Sequence, residues 1–217
     1  MSNKLIFTII AGMSILVLFG CIYKDQQETQ LVKQPAATAT LTNLAKIETP
    51  VIDPEIHVAR GDADFQSHSY QQAIEHYELA IHADPNYDRA YHKIGIVYFN
   101  LELYEKAIEY YTKALDINPN KIEAYHGRGI VYHMMANHQK GVDDLTKAIQ
   151  IDNSVEITDS RFLLRANIYH NRGFMYLHME QYQNALSDFE KAIELNPEYT
   201  QAINSRKALL DSGILDN

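Results

Sequence analysis

Three patterns of apolar and polar residues follow one another along the chain. Residues 5–19 form an apolar run, preceded by Lys4 and closed by Gly20-Cys21. Residues 22–53 are polar, rich in Thr, Ala and Gln, and without sustained periodicity. From residue 54 onward, small, aromatic and apolar positions recur in a fixed frame. Gly61, Gly95, Gly129 and Gly173 are spaced 34, 34 and 44 apart, and Pro85, Pro119, Asn153 and Pro197 follow the same spacing. Between them stand Ala73, Ala107, Gly141 and Ala185; then Tyr77, Tyr111, Leu145 and Phe189; then Ala80, Ala114, Ala148 and Ala192. A period of this length predicts units that cannot bury their own apolar face and become stable by stacking on neighbours. The stretch TQAINSRKALLD, residues 200–211, reads as an amphipathic helix that covers the last unit.

Gly, aromatic, Ala and Pro in this order at this period resemble the tetratricopeptide repeat. The resemblance covers residues 54–87, 88–121, 122–155 and 166–199. It implies an all-α, right-handed superhelical solenoid in which each repeat is an antiparallel helix pair, A and B, with residues 200–217 as capping helix and tail. The small residues then let A and B approach, and Tyr98, Tyr111, Tyr132, Tyr176 or Phe189 fill the space beside them. Proline cannot continue helix B and stops it before the next repeat. Repeat three looks weakest: Gly141 replaces Ala, Asn153 replaces Pro, and a mid-helix Gly costs about 0.5–1 kcal/mol relative to Ala. Residues 156–165, EITDSRFLLR, are an insertion that lets helix A of repeat four start about two turns early. Two readings stay open for it, a tolerated insertion and an element that contacts a partner or a second copy.

Charge and cysteine usage narrow the setting. A net charge of −9 without a basic cluster argues against nucleic acid or an acidic membrane as an electrostatic partner. The single Cys excludes an internal disulfide and a Cys-based zinc cage. Residues 1–20 have the layout of a secretory signal peptide, and Leu18-Phe19-Gly20-Cys21 resembles the bacterial lipobox, although Phe19 departs from its usual small or β-branched residue. That resemblance implies lipidation of Cys21, and Ile22 after it implies the outer membrane, facing the periplasm, where the source has one. Residues 21–53 would then be a tether with a reach of roughly 30 Å.

Candidate chemistry is sparse. There is no phosphate-cradling Gly loop and no nucleophile elbow, so neither enzyme activity nor a cofactor is expected. Arg128 and Arg172 each precede Asp144 and Asp188 by sixteen residues, a spacing that brings them together across a helix hairpin. Repeat two has Ile94 and Tyr110 in these places, which argues for structural ion pairs rather than a ligand site. His92, His126 and His170 occupy one place in three repeats, and the family resemblance puts that place on the concave groove. The expected groove set is His92, Ile96, Phe99, His126, Ile130, His133, His170, Phe174 and His178. Free imidazoles titrate near a pKa of about 6.5, so mild acid would charge this groove and favour an acidic peptide. No metal is expected: adjacent A helices are too far apart to share one, and the nearest histidines, His133 and His138, straddle the A/B turn. The residues with which chaperone cofactors of this family clamp a carboxylate correspond here to Val58, Asp62, Lys93, Glu123 and Gly127, so that clamp is missing. Resemblance to bacterial tetratricopeptide-repeat lipoproteins implies an adaptor that recruits a protease or cell-wall hydrolase or helps assemble a pilus secretin. The alternative is a structural role in which a second copy fills the groove, as a homodimer.

Overall fold

The computed structural model describes residues 53–152 and 159–216. The expected signal peptide, Cys21, nearly all of the tether and residues 153–158 lie outside the described residues. Among the described residues there are nine α-helices and no strand. Repeat one is α1 (Pro54–Gln66) and α2 (Tyr70–Ala83); repeat two is α3 (Asp88–Asn100) and α4 (Tyr104–Ile117). Repeat three is α5 (Ile122–Met134) and α6 (His138–Asp152), repeat four is α7 (Asp159–His178) and α8 (Tyr182–Leu195), and α9 (Thr200–Asp211) follows. Each A helix packs on its own B helix, each B helix on the next A helix, and α9 on α8. No helix among the described residues is long and apolar enough to cross a membrane.

Local chemistry sets the helix ends. Asp53 caps α1 by accepting a 2.9 Å hydrogen bond from the Glu55 N–H, with Pro54 in the first turn where no N–H is needed. Every A/B turn closes through one residue in the left-handed conformation, His68, Glu102, Ala136 or Glu180. The N–H of the residue after it returns to the last turn of helix A, as in Leu103 to Tyr98 O at 2.9 Å and Asn137 to Tyr132 O at 2.8 Å. At the B ends, the Asp84 and Asn118 side chains accept from the N–H groups of Asn86 and Asn120 at 2.9 and 3.1 Å, turning the chain into the next repeat.

Inside each hairpin a glycine faces a large side chain. A Cβ on Gly61 would stand 2.5 Å from the Tyr77 ring, one on Gly95 2.7 Å from Tyr111, and one on Gly173 2.8 Å from Phe189. In repeat three the partner is Leu145, and the gap at Gly129 is looser, 3.1 Å. Tyr77, Leu145 and Phe189 are fully buried, as are Ala73, Ala107 and Ala185 behind them.

Repeat four departs from the period as its insertion implied. Helix α7 has 20 residues against 13 in α1, α3 and α5, and the excess lies at its start. The expected weakness at Gly141 is corrected by its surroundings. A Cβ there would meet Met175 Sδ at 2.7 Å and the Gly129 carbonyl oxygen at 2.9 Å. Met175, fully buried, stands where earlier repeats carry Val97 and Val131, and the longer side chain uses the room that the missing methyl leaves. Gly141→Ala gains about 0.5–1 kcal/mol of helix preference but overpacks a junction where such insertions typically cost about 1–3 kcal/mol. Its melting temperature should therefore fall below that of the wild type in a calorimetric scan; a rise would show that the junction is slack.

Candidate functional site

The two arginines that precede the repeat glycines are clamped. Arg128 Nε and Nη2 donate to the two oxygens of Asp144 at 2.8 and 2.9 Å, and Arg172 Nε and Nη2 donate to Asp188, both at 2.8 Å. Both carboxylates are buried. The third arm of each guanidinium reaches back to the preceding repeat: Arg128 Nη1 donates to Thr112 Oγ1 at 2.9 Å and Arg172 Nη1 to Thr146 Oγ1 at 3.0 Å. One arginine thus ties three helices from two repeats, a planar fork satisfied on both sides. Neither arginine is left to meet a ligand.

The histidine ladder is less open than expected. The His92 ring packs at a tilt against Tyr111, 5.7 Å between ring centroids, and burial, with Lys121 and Lys93 nearby, pushes its pKa down to about 3. His126 meets Asn171 of the next A helix, Nε2 to Nδ2 at 3.0 Å, and burial lowers its pKa to about 4. His170 is held by Ser205 Oγ at 3.2 Å and lies 5.2 Å from the Tyr199 ring, so α9 covers it; burial lowers its pKa too. The expectation that His126 is free for a ligand, and that mild acid charges the ladder, is corrected for these reasons. Ile96 and Phe99 are partly buried against the core around Tyr111 and Leu115, and Ile130 is half-buried.

The remaining three groove residues gather at one end of repeats three and four. Phe174 is 42% exposed and makes edge contacts with His133 at 5.8 Å and His178 at 5.2 Å. On its other side a cleft of about 310 Å³ opens between α7, α8 and α9, lined by Phe174, Leu177, Tyr182, Ala208, Leu209 and Ile214. His133 and His138, separated by the A/B turn in sequence, are brought together by it, Nδ1 to Nδ1 at 3.0 Å. No group of three or more His, Cys, Asp or Glu among the described residues could hold a metal ion.

Two features escaped the sequence reading. Arg165, inside the insertion, pairs with Asp152 at the end of α6, both buried, and its Nη2 donates to the Asp152 carbonyl at 3.1 Å. An Arg seven residues into a helix extension has no counterpart in the other repeats, so periodicity carried no signal for it. The places of the absent carboxylate clamp are also occupied: Val58 is fully buried, Asp62 binds Lys93 at 2.8 Å, and a Cβ on Gly127 would strike Tyr111 at 2.7 Å.

Comparison with known proteins gives one consistent picture of the fold. Family models described as "Tetratricopeptide repeat" match residues 88–121 and 166–199 and residues 110–143, and one described as "TPR repeat" matches 61–102. Together they span more than half of the chain. Among solved structures, MamA is 26% identical with a TM-score of 0.61, over 72% of this chain and 86% of that one. PilF of Pseudomonas aeruginosa is 21% identical with a TM-score of 0.66, over 74% and 68%. A thermophilic TPR protein of Thermus thermophilus is 19% identical with a TM-score of 0.60, over 75% and 84%. No curated protein matches significantly.

The lowered imidazole pKa values set a direction of pH dependence. In the unfolded chain these groups titrate near a pKa of about 6.5, so as pH falls the unfolded state takes up protons first. The stability conferred by neutral His92 and His126 is then complete above about 6.5 and is lost as pH falls towards their folded values. Chemical denaturation at pH 7 and pH 5 should show a loss on the order of 1–2 kcal/mol per histidine, which shrinks in the His92→Gln/His126→Gln double variant. An equal loss in wild type and double variant would place the proton uptake elsewhere.

Proposed function

Because the chain belongs to the tetratricopeptide-repeat family, we propose that it is a scaffold that binds a segment of a partner protein and is held at a cell-envelope membrane by lipid on Cys21. The observation that carries the reading is the exposed Phe174 ring beside the apolar cleft bounded by Leu177, Tyr182 and Leu209. Elsewhere the ladder that would line a groove is engaged in packing: His92 against Tyr111, His126 on Asn171, and His170 under Tyr199. A concave, mostly apolar site with a few polar groups at its rim suits one large apolar side chain of a bound peptide. Ser205 and Ser212 supply that rim. Membrane attachment is supported by the lipobox-like sequence around Cys21 and by the polar stretch that follows it. Together they would present the repeats roughly 30 Å from the bilayer.

A second reading, self-association, has one observation in its favour: Leu163 is 58% exposed on the early turns of α7. An apolar residue on a projecting helix suits contact with a second copy. One experiment in cells separates the two readings. A photoreactive residue replaces Phe174 in the full chain, with and without Cys21→Ser, and the cells are fractionated after illumination. The scaffold reading expects crosslinks to another protein in the membrane fraction, and release of the chain to the soluble fraction by Cys21→Ser. Crosslinks to a second copy alone would favour self-association, and none at all would remove this face as the binding site.

A further inference from the structure

The A/B turn of repeat three is held by side chains unlike those of its neighbours. In repeats one and two an aromatic pair staples the end of helix A to the start of helix B. Phe65 and Tyr70 lie 5.7 Å apart between ring centroids, and Phe99 and Tyr104 lie 6.3 Å apart. Repeat four keeps Leu177 and Tyr182 in these places, both packed against the core around Phe189. None of these staples gains charge in mild acid. In repeat three both places are histidine, His133 and His138, with centroids 4.8 Å apart and Nδ1 atoms 3.0 Å apart. His178, in the last turn of α7, lies 5.0 Å from the His133 ring and is stacked on His138 at 4.9 Å. A staple of fixed charge is thus exchanged for a titratable one, and a third imidazole joins it to the next repeat.

We propose that His133, His138 and His178 form an acid-opened latch between the A/B turn of repeat three and the end of helix A of repeat four. The two facing Nδ1 atoms share one proton, donated by one ring and accepted by the other. A first added proton goes to the outer Nε2 of the donor ring and leaves that bond in place. A second goes to the accepting Nδ1 or to His178. On the accepting Nδ1 it turns two N–H groups against each other at 3.0 Å. On His178 it sets a cation 5.0 Å from His133 or 4.9 Å from His138. Either way the rings separate, because charged imidazoles apart in water are favoured over like charges in contact. The charges that act on His133 are those of His138 and His178, and the charge that acts on His138 is that of His178. Within two turns of the cluster the other charged side chains are engaged elsewhere. On α5 Arg128 binds Asp144 of α6; on α6 Lys140 lies over the Tyr132 ring and Asp143 accepts from Gln139; on α7 Arg172 binds Asp188. In the turn after α7, Glu180 faces a separate cleft with Gln181 and Ile214. Burial and the neighbouring imidazoles lower the pKa of both staple histidines. Released imidazoles titrate near a pKa of about 6.5, so the latch is fully closed above that value and loses its hold as pH falls below it. Phe174, edge-on to His133 and His178, gives up both ring contacts when it opens. The device needs only this cluster and stands whether or not a peptide binds at Phe174.

The test is native-state hydrogen exchange of the full chain at about pH 7.5 and about pH 5.5, on either side of the free imidazole pKa, with intrinsic exchange rates divided out. The reporters are the N–H groups of Ala136 and Asn137, bonded to the His133 and Tyr132 carbonyls at 2.9 and 2.8 Å. The reference is the Ser69 N–H in the turn of repeat one, bonded to the Asp64 carbonyl at 2.9 Å. Protection at Ala136 and Asn137 should fall, relative to Ser69, by about tenfold or more between the two pH values. The His133→Phe/His138→Tyr variant rebuilds the staple of repeat two, so it should keep its helical circular dichroism and lose this fall. His178→Gln, a change on an exposed residue, should shrink the fall by about threefold or more, and it carries the test if the double variant does not fold. His92 and His126 are present in all three chains, so their proton uptake cancels in the comparison. Protection that falls no further than at Ser69 in the wild type, or equally in wild type and both variants, would overturn the proposal. A fall kept in full by His178→Gln would overturn the link to repeat four.

Discussion

The close approach of helix A to helix B, allowed by a glycine on one and locked by a large side chain on the other, is the constraint from which the rest of the array follows. A methyl group at Gly95 would stand within 2.7 Å of the Tyr111 ring, so the hairpin can close at this distance only with hydrogen at that position. Once closed, it leaves a surface that only the next hairpin can cover, and the stack grows by repetition. Small residues behind the ring, such as Ala107 and Ala114, are then wholly enclosed. The polar ties come second. Arg128 and Arg172 lie partly buried, and their pairing with Asp144 and Asp188 is tolerable because every arm of the fork finds an acceptor. Where the lock changes, the neighbourhood changes with it. Repeat three has Leu145 in place of a ring and Gly141 in place of Ala, and Met175 from repeat four moves into the room so made.

Much of this was legible in the sequence, for a physical reason. Positions such as Gly95 and Tyr111 must pair within one hairpin, so the period alone places them, and the sixteen-residue spacing of Arg128 and Asp144 places the ion pair in the same way. What periodicity cannot convey is depth of burial at a position that faces the next repeat. His126 occupies the place expected to face a groove, but its neighbour there is Asn171, 45 residues away and beyond the insertion. Whether His126 is open or enclosed depends on the length of that side chain. The same limit applies to His170, covered by Tyr199 and Ser205. His133 and His138 are a different case: five residues is the wrong spacing for one face of a helix, but the left-handed Ala136 folds the chain back and brings the rings together. Arg165 lies in the one segment without a repeat counterpart, where no frame exists to read it against.

The functional consequence is a division of the array into two parts. Repeats one to three spend polar groups on each other: Lys93 on Asp62, Lys121, just before α5, on Asp88, and Arg128 on Asp144 of its own B helix. The junction of repeats three and four is different in kind. The early turns of α7 lie at one end of that helix, and the exposed Phe174, the His133, His138 and His178 rings and the apolar cleft bounded by α7, α8 and α9 gather towards its other end. An array whose interior is satisfied by its own side chains offers a partner the places where the period breaks.

A double-mutant cycle between Gly95 and Tyr111 tests the glycine-to-ring lock most directly. Gly95→Ala and Tyr111→Leu are each expected to lower unfolding free energy by about 1–3 kcal/mol. Because a smaller side chain at 111 makes room for the methyl at 95, the double variant should be less destabilised than the sum of the singles by about 1 kcal/mol or more. Additive losses would show that the two positions do not constrain each other, and would contradict the lock as the basis of the fold.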